Sequence, residues 1–116
     1  MLSLEYIAGF FDGEGCVIIA QSGNRFWLVV SLTQRKREIL EMIQKQFGGY
    51  LDCVGISRLR FSCEQAAQFL KAIQPFVIVK KKEIALALKF QACKGNRVRA
   101  NSENYKQTLS ALKKAS

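Results

Sequence analysis

The stretch Tyr6-Ile7-Ala8-Gly9-Phe10-Phe11-Asp12-Gly13-Glu14-Gly15 constrains this chain more than any other. Ser3 just upstream can cap the free N–H groups of a first turn and Gly15 can end the segment, so the spacing predicts a helix of about three turns between them. Inside it Gly9 and Gly13 each cost a helix roughly 1 kcal/mol relative to alanine. Spaced four apart with Ala8 beside them, they leave one face nearly bare, and a bare face lets a second backbone approach closer than the usual ~8–10 Å between helix axes. The face is therefore expected to be a contact surface. Asp12 and Glu14 sit where the helix ends, at the negative pole of its dipole, so a cation is expected nearby. The plainer reading of the two acids is a solvated pair beside a turn.

At 116 residues with 49% hydrophobic content, the chain suits one domain over 1–116 with a core of ordinary density. No apolar run approaches the ~20 residues of a membrane span, and no basic-then-apolar leader is visible, so an intracellular protein without a membrane partner is expected. Eighteen Lys and Arg against nine Asp and Glu leave a net charge of +9, which favours a polyanion, by default nucleic acid, over a merely solubilising basic surface. Cys16, Cys53, Cys63 and Cys93 form no C-x-x-C pair, and there is no histidine to complete a zinc set. They read as reduced thiols. The lack of histidine also excludes Ser-His and Cys-His nucleophiles and the His-dependent nucleases, leaving any metal chemistry to carboxylates.

After the first helix, strand formers run from Cys16 to Gln21 and from Phe26 to Gln34 about Ser22-Gly23-Asn24-Arg25, predicting a hairpin. Ile39, Leu40, Ile43 and Phe47 recur at helical spacing between Arg35 and Phe47, and Gly48-Gly49 ends that helix. Tyr50–Cys53 and Ile56–Ser62 predict a second hairpin about Val54-Gly55, with Arg58 and Arg60 on one face. Ser62-Cys63-Glu64-Gln65 fits a capping box for a third helix with Ala66, Phe69, Leu70 and Ile73 inward, ended by Pro75. Phe76–Val79 reads as a short extended piece. Lys80 to Cys93 reads as a helix with Ile84, Ala85, Leu88 and Ala92 inward, and Gly95–Asn101 as a basic break. Ser102 is expected to cap a last helix that aligns Tyr105, Leu109 and Leu112. The order is αββαββα followed by further helix: an α+β chain whose four-stranded antiparallel sheet has helices on one face and leaves the other for a partner.

Ile7 to Gly15 stand in the nine positions of the LAGLIDADG signature, which this stretch resembles, with Glu14 in place of the second Asp. Thr33-Gln34 closing the second strand, and Gln74-Pro75-Phe76 followed by Lys80, stand where single-motif, homodimeric LAGLIDADG homing endonucleases have equivalents. The resemblance covers about residues 3–93, with 94–116 as a C-terminal helical extension. It implies a site-specific endonuclease of double-stranded DNA, a hydrolase encoded in an intron or intein, using Mg²⁺ (or Mn²⁺) and cutting a pseudo-palindromic target as a homodimer. It further implies an organelle (chloroplast or mitochondrion) or a prokaryotic cytoplasm as its place of action. By the same resemblance Glu14 binds the metal, and Gln34 and Lys80 complete the catalytic set. Ala8, Gly9, Phe11, Asp12 and Gly13 form the subunit contact that brings two Glu14 side chains together. A carboxylate suits a hard cation, a neutral amide suits a water, and an ammonium suits phosphate charge. For Asp12, two residues before Glu14, a structural role as hydrogen-bond acceptor near the helix end is expected, and Lys80 read alone could be the solvated start of a helix.

The sheet's open face is expected in the major groove, with Arg25, Ser31, Thr33, Arg58 and Arg60 as candidate DNA-binding residues. Ile18, Trp27 and Val29 share that face and the first hairpin is shorter than the family's, which implies fewer polar readers. A maturase of the same fold would bind structured RNA, and a regulator or relic would bind DNA without needing the metal acid. The intact set of Glu14, Gln34 and Lys80 favours the endonuclease.

Overall fold

The computed structural model of the chain describes residues 2–93 and 99–115. Helix α1 runs from Leu4 to Glu14, and the Ser3 hydroxyl accepts from the Tyr6 N–H at 3.1 Å. Strand β1 (Gly15–Ser22) follows with no loop between. Gly15 makes that junction possible, since a Cβ there would run into the Phe11 ring and carbonyl. A two-residue turn, Gly23-Asn24 with φ +60° at Gly23, leads into β2 (Arg25–Gln34). The strands thus reach further toward the turn than expected, because a glycine in the first central position allows the tight hairpin. Helix α2 (Arg37–Phe47), strands β3 (Tyr50–Asp52) and β4 (Ser57–Ser62), and helix α3 (Cys63–Ile73) complete the second half. A 3₁₀ turn (Gln74–Phe76), α4 (Lys81–Ala92) and α5 (Arg99–Ala115) close the chain.

The four strands form one antiparallel sheet in the order β1-β2-β4-β3. Val17, Ile19, Leu28, Val30, Leu32, Leu59 and Phe61 point to the helices and are buried, as strict alternation requires of a sheet covered on one side. Phe69 of α3 is the hub of that core. Its ring meets Phe61 at 4.5 Å, Phe47 at 5.2 Å and Phe11 at 5.9 Å between centroids, so four elements pack about one residue. Helix α5 joins the same core through Leu109, and its Tyr105 hydroxyl lies 3.5 Å from Cys93 Sγ at the end of α4. That hydrogen bond, with burial, raises the Tyr105 pKa above its ordinary value.

Several expectations about local structure are corrected. Phe76–Val79 is not extended but a 3₁₀ turn followed by an irregular segment, in which Val77 is buried while Ile78 and Val79 are 81% and 63% exposed. The inward face of α4 is Glu83, Ile84, Ala87, Phe90 and Gln91, with Ala85 and Ala92 exposed. Two polar residues on the covered side had displaced the apparent apolar stripe. Ser62 stands at the N-cap of α3 without a side-chain hydrogen bond, so the capping box is not made. Ser102 lies inside α5, buried, rather than at its start. Of the expected basic break, residues 95–98 lie outside the described residues, and 99–101 are already helical.

Candidate catalytic end and nucleic-acid interface

Asp12 organises one end of the molecule. Its carboxylate accepts from three successive backbone N–H groups, Ile78 at 2.8 Å, Val79 at 3.2 Å and Lys80 at 3.1 Å. The Lys80 ammonium returns a bond of 2.7 Å to the Asp12 carbonyl oxygen. A carboxylate is favoured at the start of α4, where free N–H groups and the positive pole of the helix meet, and an ammonium at the end of α1 for the opposite reason. The last turn of α1 and the approach to α4 are thereby fastened together. The cation expected beside the acids is Lys80.

Glu14 is the last residue of α1 and is exposed. Because Gly15 pairs with Leu32, Glu14 stands at the level of Thr33, at the end of β2 that Gln34 closes. Glu14, Gln34 and Lys80 are therefore brought to one end of the chain by three different elements. The Gln34 amide oxygen accepts from its neighbour's N–H, Arg35, at 2.8 Å, which leaves the amide NH₂ directed elsewhere. Among the described residues no three acidic or thiol side chains gather into a cation-holding group. The exposed Glu14 carboxylate nevertheless fits Mg²⁺ or Mn²⁺, hard ions that are held by one or two carboxylates with waters and phosphate oxygens rather than by an all-protein cage.

The face of the sheet away from the helices carries all five residues expected at DNA. The register sets them in rows: Ser22 with Arg25, Ala20 with Trp27, Ile18 with Val29 and Ser62, Cys16 with Ser31, Arg60 and Tyr50, and Thr33 with Arg58 and Asp52. Arg25, Arg58 and Arg60 are exposed, Thr33 is half-buried and Ser31 is buried at 9% exposure, low for a base reader. Arg25 lies over the Trp27 ring at 5.7 Å and Arg60 over Tyr50 at 5.2 Å. Each guanidinium is thus held by an aromatic plane, a contact that does not itself use its N–H donors. Tyr50 was not singled out from the sequence. Its signal is the single position at which β3 faces Arg60.

The five residues expected at a subunit contact divide. Ala8 and Phe11 are fully buried in the chain's own core, because they lie on the side of α1 that faces the sheet and α3. They are unavailable to a partner. Asp12 is engaged as described, while Gly9 and Gly13 are exposed with nothing within 4 Å of a Cβ built on either. Tyr6 shares their side of the helix and is exposed. Phe76, Ile78 and Val79, tied beside α1 by Asp12, add exposed apolar surface that the sequence had hidden by resembling a strand.

The LAGLIDADG-like domain model matches residues 1–74, while no curated protein sequence matches the chain. Among solved structures, the homing endonuclease I-CvuI in complex with the I-CreI target superposes with a TM-score of 0.81 at 19% identity, over 94% of this chain and 80% of that one. The archaeal intron-encoded homing endonuclease I-Vdi141I, complexed with DNA, gives 0.77 at 23% identity over 97% and 83% of the two chains. I-SmaMI, bound to an uncleaved DNA target with calcium, gives 0.65 at 22% identity over 97% of this chain and 42% of that one. At these identities the likeness is one of fold. Joined to a matched span of 74 of the 116 residues, it makes the chain a member of the LAGLIDADG family.

Proposed function

We propose that the protein is a site-specific endonuclease of double-stranded DNA that works as a homodimer with Mg²⁺ or Mn²⁺ on a pseudo-palindromic target. One observation carries the reading: Glu14, Gln34 and Lys80 stand at one end of a sheet face that also presents Arg25, Arg58 and Arg60. The neighbours in fold are DNA complexes, some with magnesium or calcium, which supports the choice of ligand. A chain with one signature holds one Glu14, and the bare Gly9 and Gly13 face supplies a surface on which a twofold mate brings a second. Action inside an organelle or a prokaryotic cytoplasm goes with this reading.

In the working dimer the arginines neutralise phosphates and meet base edges, fixing the register of the duplex. Glu14 would hold the divalent cation, which when bound would supply Lewis acidity toward the phosphate. The Gln34 amide orients the attacking water, and the Lys80 ammonium, held in place by the Asp12 carbonyl, offsets charge gathering on the phosphate. The test is recovery of cut duplexes from a randomised library. Wild type is expected to cut one pseudo-palindromic site only with Mg²⁺ or Mn²⁺, and Glu14→Gln to bind that site without cutting it. Cutting by Glu14→Gln at the wild-type rate removes the metal role and leaves a DNA-binding regulator or relic as the better account.

A further inference from the structure

The rows of the open face are not uniform along the strands. Nearest the catalytic end, Arg58 and Arg60 can donate hydrogen bonds and the half-buried Thr33 can donate and accept them. Beyond them β1 and β2 are apolar over two rows: Ile18 with Val29, a row that the exposed Ser62 of β4 completes, then Ala20 with Trp27, and past these Arg25 returns the charge. Ile18 is 41% exposed, although its neighbours Val17 and Ile19 are buried on the other face. A depression of about 430 Å³ adjoins the band, walled by Trp27 and Val29 together with Tyr50 and Arg60, with Ser62 and Gln65 also lining it.

An apolar side chain pressed to a base edge leaves that edge's polar groups without partners, a cost on the order of a lost hydrogen bond. In the major groove the only apolar group on any base edge is the C5-methyl of thymine. With basic rows on both sides to hold a duplex against it, the band has one complementary ligand. We propose that Ile18, Trp27 and Val29 read A·T pairs through thymine methyl groups, so that each half-site carries a methyl-read block outward of its hydrogen-bonded bases. This rests on the endonuclease reading and refines its substrate. Same-face residues of a strand advance about 6.7 Å per row against a base rise of about 3.4 Å, or roughly two base pairs per row. Val29 and Trp27 lie two and three rows from Arg58, so the methyl contacts fall about four and about six base pairs farther from the catalytic end.

The test uses wild-type protein and a site selected from a randomised duplex library, resynthesised with deoxyuridine for thymidine one position at a time. Each replacement removes a methyl and leaves every hydrogen-bonding group. Binding is expected to weaken about three- to fivefold per replacement in the outer block, the value of one buried methyl, and to be unchanged at the bases facing Arg58. Ile18→Ser, on the edge strand, is expected to bring the thymidine-to-deoxyuridine ratio toward one at its own position. Equal affinity for the two duplexes in the outer block, or selection of G·C pairs there, on DNA that the protein binds and cuts, overturns this inference alone. Failure to bind any duplex overturns it together with the endonuclease reading.

Discussion

The two sides of α1 differ in what covers them. One presents Ile7, Ala8 and Phe11, all at 0% exposure against the sheet and α3. The other presents Tyr6, Gly9 and Gly13 to solvent, where a Cβ on either glycine meets nothing. The covered side is explained within the chain, since burying a phenylalanine and an isoleucine contributes several kcal/mol between them. The bare side is not: two helical glycines cost about 1 kcal/mol each and touch no other part of the fold. A cost accepted on one side only is accounted for by the dimer proposed above, in which the first face serves the monomer and the other its mate.

Substitutions on the two sides should separate these roles. Phe11→Ala removes a ring from the four-phenylalanine cluster and is expected to lower unfolding free energy by about 3–5 kcal/mol in a denaturant titration, enough to unfold much of the protein. Asp12→Asn, at the boundary between the sides, keeps an acceptor but loses the charge that holds three N–H groups. A loss of about 1–3 kcal/mol is expected, with retained stability counting against its fastening role. Gly9→Leu is expected to leave the monomer as stable or more so, by about 0.5–1 kcal/mol, while sedimentation shows the dimer lost. A dimeric Gly9→Leu protein, or a monomeric wild type at micromolar concentration, would sink the division of faces. Glu14→Gln should move stability least, by a few tenths of a kcal/mol in the favourable direction, since it relieves a carboxylate at a helix C-terminus. A large stability loss would mean that Glu14 is structural.

What the sequence reveals of this molecule follows the range of the interactions. The α1 boundaries, both hairpins, and the shared face of Arg58 and Arg60 depend on caps, turns and alternation within a few residues, and all were legible. Phe76–Val79 was not, because an apolar run reads as a strand unless one knows that its N–H groups go to Asp12, more than sixty positions earlier. The same long-range link explains Lys80, whose side chain is partly buried and tied to the Asp12 carbonyl. Helix α4 was misread in register because Glu83 and Gln91 are buried, and a polar residue on a covered face carries no periodic signal. At the candidate site the residue types were legible, but the division of Ala8 and Phe11 from Gly9 and Gly13 was not, since a helix only acquires an inside once its neighbours are known.

The Asp12 fastening also separates two properties that usually travel together. Ile78 and Val79 have the side chains of a surface loop, yet their amide hydrogens are held by a carboxylate anchored in a core helix. In deuterium exchange this stretch should behave like the interior, its amides protected by an opening reaction that must release the end of α1 as well. The segment that presents Lys80 is therefore set by the stiffness of the motif helix, and any motion there would have to be shared between two elements distant in the chain.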